Sequence, residues 1–99
     1  MNMQALMKEA QKMQRELQKT QKELEDTVYE GSSSLVSVKM NGKKELLSIN
    51  INVEEDIKLD EIELFQDMIV VAINDTVKKI DNDKEKKMSK FGQGLSGLL

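Results

Sequence analysis

Histidine and cysteine are both absent from this 99-residue chain. Their absence removes the commonest general base, the thiolate nucleophile and the usual transition-metal ligands. It also removes any disulfide framework, as suits a reducing compartment. No run approaches the roughly 18 apolar residues of a membrane span, and the N-terminus is amphipathic rather than continuously apolar, unlike a signal peptide. The expected location is the cytoplasm. Tyr29, Phe65 and Phe91 are the only aromatic residues, so a domain of this size has a thin core. No phosphate-cradling glycine loop is present: Gly92, Gly94 and Gly97 lack both the preceding strand and the spacing such a loop needs. Glu54, Glu55 and Asp56 lack the alternating oxygen ligands and turn glycine of a calcium loop and read as a solvated connector. These absences predict a non-enzyme that uses no metal, cofactor or small-molecule substrate.

What the chain does have is a long helix. Residues 3–26 contain no Gly, no Pro and only one β-branched residue, Thr20. At 1.5 Å per residue they span about 36 Å, longer than a domain of this size needs. Leu6, Ala10, Met13, Leu17, Thr20 and Leu24 alternate steps of four and three, the seam of a helix packed lengthwise on a partner. A homo-oligomer is the economical way to cover it. Lys8, Lys12, Arg15, Lys19 and Lys22 follow the same steps within an arc of about 80°, opposite the seam. Glu9, Glu16 and Glu23 run along one side of this ridge, and Gln4, Gln11 and Gln18 along the other.

The net charge is −3, which by itself argues against a polyanionic partner. Its distribution argues otherwise. Residues 54–81 hold nine acids and three bases, whereas residues 1–26 balance five against five and residues 82–99 carry four bases and two acids. Positive surfaces therefore remain available beside a negative one.

After Asp26 the helical period stops. Residues 27–30 are β-prone, Gly31 with Ser32, Ser33 and Ser34 reads as a turn, and residues 35–40 read as a strand with Val36, Val38 and Met40 on one face. Asn41-Gly42 predicts a tight hairpin with positive φ at both residues. A third strand over residues 43–53 points Leu47, Ile49, Ile51 and Val53 inward, with a bulge near Leu46. Asp60 and Glu63 fit a variant capping box that opens a helix with Ile62, Phe65, Ile69, Ala72, Ile73, Thr76, Val77 and Ile80 on its apolar side. Lys78 and Lys79 suit its C-terminal end, and the helix is expected to cover the inner face of the sheet. Residues 82–91 either extend it or form a short separate helix. Residues 92–99 read as a flexible glycine-rich tail. The expected organisation is one α+β domain over residues 1–99: α-β-β-β-α around a three-stranded antiparallel sheet.

Several stretches together resemble the YbaB/EbfC family of small bacterial nucleoid-associated proteins. They are Leu6 to Gln14, the Val36-x-Val38 strand closing on Asn41-Gly42, the Ile49-x-Ile51 strand, the Ala72-x-Asn74-Asp75 step with Lys79, and the Leu-x-Gly-Leu ending. They cover nearly the whole chain in the family's order. The resemblance implies a tweezer-like homodimer joined through its sheets and flanking helices, with the long helices as arms. It also implies binding of double-stranded DNA in the nucleoid, often of low sequence specificity, that alters DNA conformation or organisation. The chain departs from the family pattern at Ser32, Ser33 and Ser34, where glycines are frequent, and at Ser96, where proline is.

The candidate DNA-contacting residues are Lys8, Lys12, Arg15, Lys19 and Lys22 on the first helix, with Lys84, Lys86, Lys87 and Lys90 as secondary contacts. The ridge has a competing explanation. Lys12 and Lys19 lie three or four residues from Glu9, Glu16 and Glu23, so it also reads as a solvated face laced with weak ion pairs. The glutamines read first as soluble helix formers, Met3, Met7 and Met13 as packing residues beside the seam, and Lys39, Lys43 and Lys44 as guards against edge-to-edge aggregation. The alternative function is a non-catalytic adaptor whose long helices grip a partner helix.

Overall fold

Asn2 starts the chain's longest projection. Its side-chain Oδ1 accepts the Gln4 N–H at 3.0 Å and caps α1 (Met3–Asp26), satisfying one of the donors a helix leaves open. The computed structural model describes residues 2–92. The tail expected beyond Gly92 lies outside the described residues. α1 ends where Thr27 turns extended and answers two carbonyls: its N–H bonds to Glu23 and Leu24, and its hydroxyl donates to the Glu23 carbonyl at 2.6 Å. Only Thr20 and Leu24 of α1 are buried, with Leu17 and Gln21 half-buried. The rest of the helix stands free of the body, and the molecule measures 72 × 19 × 14 Å.

The strands β1 (Val28–Ser33), β2 (Val36–Asn41) and β3 (Leu46–Ile51) form an antiparallel meander in that order. The register sets Tyr29 opposite Met40, Gly31 opposite Val38, and Val38 opposite Ile49, so these side chains share one face. α2 (Ile62–Met88) lies on that face. Phe65 and Ala72 close on Val36 and Val38, flanked by Met68, Ile69 and Ile73, to make the main core. A second cluster of Leu24, Met88 and Phe91, with Leu17 against it, roots α1 to the end of α2.

The turns differ from the sequence reading. Gly31, Ser32 and Ser33 belong to β1, and the turn is Ser34–Leu35, with Ser34 at φ 51°. Gly31 is required by close approach instead: a Cβ there would stand 2.1 Å from the Thr76 hydroxyl and 2.9 Å from the Ala72 carbonyl oxygen. Asn41 and Gly42 do not take positive φ, so the tight hairpin is not formed. The Lys44 N–H bonds to the Asn41 carbonyl at 2.9 Å, the Asn41 N–H to that of Glu45 at 3.1 Å, and Lys44 carries the left-handed conformation at φ 64°. This is the three-residue loop family. Gly42 is needed because a Cβ would meet the Leu24 carbonyl of α1 at 1.8 Å.

Asp60 does not cap α2. It lies within a short 3-10 turn, Leu59–Glu61, and the N-cap of α2 is Glu61, which makes no side-chain capping bond. The 82–91 segment extends α2 through Met88 before a 3-10 turn at Ser89–Phe91. Lys86 and Lys87 therefore occupy the last turn of α2, the place assigned from sequence to Lys78 and Lys79. The register shifts between Lys39 and Met40, leaving Leu47 without an opposite partner, the expected bulge one residue along. The sheet's inner face is only partly covered. α2 buries the β1 and β2 portions, while Leu47 is 53% exposed and Ile49 43%.

A clasp joins β1 to the far end of α2. The Tyr29 hydroxyl donates to Asp83 at 2.5 Å, and Lys87 pairs with the same carboxylate at 3.1 Å. Burial, then the Asp83 bond and charge, push the Tyr29 phenol up from 10.0 to about 12. The Tyr29 bond, more than Lys87, holds Asp83 below the usual carboxylate range.

Two outcomes follow from this packing. Gly31→Ala should destabilise the chain by about 2–3 kcal/mol in denaturant titrations, because backbone as well as a hydroxyl must yield. Because the Tyr29 pKa is raised on folding, its contribution is complete below pH 10 and lost as pH climbs from 10 towards about 12. Tyr29→Phe should cost about 1 kcal/mol at neutral pH and flatten that alkaline loss in thermal melts.

Candidate nucleic-acid interface

α1 presents Lys8, Lys12, Arg15, Lys19 and Lys22 as five exposed bases on its free side. Helical steps of three and four put successive members about 4.5–6 Å apart along the axis. The row runs about 21 Å from end to end, the axial rise of about six base pairs of duplex. Glu9, Glu16 and Glu23 are likewise exposed, yet the expected lacing of the ridge by ion pairs is not what the side chains do. Among the described residues the ion pairs are Lys44–Asp81 at 2.8 Å, Lys79–Asp75 at 3.4 Å and Lys87–Asp83 at 3.1 Å, and none involves a ridge base. The ridge bases therefore face solvent without a direct ion-pair partner among the described residues, with Glu9, Glu16 and Glu23 running beside them. A single uninterrupted helix carries all five residues.

The second predicted group divides by environment. Lys87 is engaged with Asp83, and the Lys90 ammonium stands 5.1 Å from the centre of the Phe91 ring, a cation–π contact of modest strength. Lys86 is exposed in the last turn of α2. Lys84 faces a notch of about 340 Å³ where α1, α2 and the β2–β3 loop meet, and Lys43 and Lys44 line the same notch. The structure thus brings together Lys84 and two loop lysines that sequence reasoning had set aside. Only the loop folding back onto α1 reveals that grouping, and the one sequence signal pointing to it was Gly42.

The acidic connector lies elsewhere. Glu54, Glu55, Asp56 and Glu61 edge a separate cleft of about 440 Å³ floored by Leu35, Val53 and Phe65. Among the described residues no three His, Cys, Asp or Glu side chains stand close enough together to hold a metal ion. No helix among them is long and apolar enough to cross a membrane. What the described surface offers is a row of exposed cations along α1, and charge of this kind positions a polyanion without reading its bases.

Known proteins point the same way. Residues 1–95 match the YbaB/EbfC DNA-binding family. A nucleoid-associated protein of Chloroflexus aurantiacus is 43% identical over 101 residues, covering 100% of each chain. One from Ligilactobacillus salivarius is 39% identical over 100 residues, covering 99% of this chain and 95% of its own. One from Clostridium novyi is 44% identical over 98 residues, covering 97% and 85%. The crystal structure of an uncharacterized Helicobacter pylori protein superposes with a TM-score of 0.68 at 27% identity, covering 93% of this chain and 99% of that one. With bacterial relatives aligned over nearly their whole length and the family match running through residue 95, the chain belongs to the YbaB/EbfC DNA-binding family of nucleoid-associated proteins, which are not enzymes.

Proposed function

We propose that the 99-residue chain acts as one DNA-binding unit and pairs as a homodimer. Its two α1 arms hold double-stranded DNA by the phosphates and alter its conformation or organisation in the nucleoid of the cytoplasm, with consequences for gene expression. The observation that carries this is the ridge: five exposed bases in register on α1, outside every ion pair among the described residues. Doubling the ridge gives a pair of cationic rails, enough to meet phosphates on both sides of a duplex. Lys86, Lys87 and Lys90 add charge near the arm's root.

Support for the homodimer comes from what one subunit leaves uncovered. Leu46, Leu47, Ile49 and Ile51 of β3 and Val70 and Val71 of α2 are all exposed. An apolar strand and helix face of this kind ordinarily marks an interface, and a two-fold pairing lets each copy cover the other's. A second reading, the protein adaptor, draws on Met3, Leu6, Met7 and Met13, exposed along the free part of α1. The two separate on gel shifts with unrelated duplexes, since the adaptor gives no shift at any salt.

A protein neutralising 6–10 phosphates loses about 10³–10⁵ in affinity between 50 and 200 mM salt, and the wild-type chain should show a loss of that order. Replacing Lys12, Arg15 and Lys19 with Gln should leave fold and oligomer intact while lowering the log–log salt slope by about three for each arm in contact. An unchanged slope would remove the ridge from the interface. Ile49→Asp, at a position exposed in the single subunit, should yield a folded monomer by sedimentation and weaken DNA binding by more than tenfold through loss of the second arm.

A further inference from the structure

We propose that Lys43 and Lys44 of the β2–β3 loop, with Lys84 of α2, form a second phosphate-contact site at the root of α1. This continues the path of the DNA from the arm onto the body, and it rests on the DNA-binding reading above.

The site is built by fixed backbone. Asn41 Oδ1 accepts the N–H groups of Lys43 at 2.9 Å and Glu45 at 3.1 Å, so the loop is held from within. It is also held from below, since the Gly42 N–H donates to the Glu25 carbonyl at 3.2 Å. Neither lysine therefore depends on a wandering loop for its position. The notch they share with Lys84 measures about 340 Å³, ample for a phosphate group and its water.

Electrostatics at the notch favour an anion despite its position at a helix C-terminus, where the dipole is negative. The carbonyls that would repel an anion there are already engaged: Glu23 and Leu24 by Thr27, and Glu25 by Gly42. Lys43 and Lys84 make no ion pair among the described residues, and Lys44 pairs with Asp81 across a half-exposed contact at 2.8 Å. Such a pair is weak and is readily exchanged for a phosphate. Three bases thus face Glu25 and Asp81, leaving the notch positive.

The notch also lies on the side of α1 that is open to DNA. Helical geometry places Gln4, Gln11, Gln14, Gln18 and Gln21 on the flank running down to it, between the cationic ridge and the loop. Gln21 lines the notch itself. From residue 4 to residue 22 that flank carries no acid, and Glu9, Glu16 and Glu23 stand on the opposite one. A phosphate chain laid along the arm meets amides, cations and the exposed, uncharged Met3 and Met7 until it reaches Lys43, Lys44 and Lys84.

The test uses the full chain and a fluorescent duplex of about 20 base pairs of arbitrary sequence, titrated by anisotropy at several salt concentrations. The double variant Lys43→Gln/Lys84→Gln should lose about two units of salt slope per site engaged, or roughly 60-fold in affinity at 0.1 M salt, with an unchanged melting temperature. Asp81→Asn, which frees Lys44, should do the opposite and tighten binding severalfold. If the wild type binds in a salt-dependent way and neither variant departs from it, the notch is not a contact and the DNA reading stands without it. If the wild type binds at no salt, the DNA reading itself falls and takes the notch with it.

Discussion

Leu24, Met88 and Phe91 make the small contact on which the rest of the molecule depends. A helix of 24 residues hands only its last two turns to the body. Burying two or three large apolar side chains contributes a few kcal/mol, enough to fix a direction and little more. The adjoining supports share the load: Gly42 lets the β2–β3 loop touch the α1 backbone, and Thr27 closes the helix before β1 begins. Because β1 starts at Val28, one residue after that stop, the arm cannot swing without disturbing the sheet. A rigid arm is what turns a row of lysines into a surface, since charges on a flexible tether hold no register.

The sheet is organised by its contact with α2, and that contact is unusually close at one point. Gly31 lies against Thr76, whose hydroxyl donates back to the Ala72 carbonyl at 2.7 Å. Thr76 is fully buried with its hydroxyl satisfied inside its own helix, so it presents no unmet polar group to the strand. The approach draws α2 over β1 and β2 and away from β3, which explains why three strands share one helix unevenly. A chain with three aromatic residues has too little apolar volume to cover the third strand from within, so that face is left apolar and open.

Legibility in the sequence followed the range of the forces involved. α1 is readable to the residue because period, length and breaker-free composition are local, and an Asn before a helix, such as Asn2, is a recognised start signal. The alternation of Val36, Val38 and Met40 gave the buried face of β2 correctly, and the bulge in β3 was one residue from its expected place. The hairpin loop is not legible from Asn-Gly alone, because Gly42 answers not to a turn's φ but to the α1 backbone 18 residues earlier in the sequence. Gly31 misled in the same way: a turn-like Gly-Ser run proved to be a strand with a helix pressed against it. The ridge's cations were legible from spacing alone, but their freedom from ion pairs was not. The grouping of Lys43 and Lys44 with Lys84 had no local signature, since it arises only when the loop, α1 and the end of α2 converge.

Segregation of charge along the 72 Å length has a kinetic consequence. The acids of the connector, Glu54, Glu55, Asp56 and Glu61, gather near the start of α2, about 40 Å along that 27-residue helix from the end that roots the arm. The particle is therefore lopsided in charge, acidic at the connector and balanced on the arm, where an outward row of bases offsets the arm's acids. In dilute salt a polyanion exerts a torque on such a body before contact, because it repels the acidic end more strongly than the rest. Such orientation fades as ionic strength shortens the reach of the field.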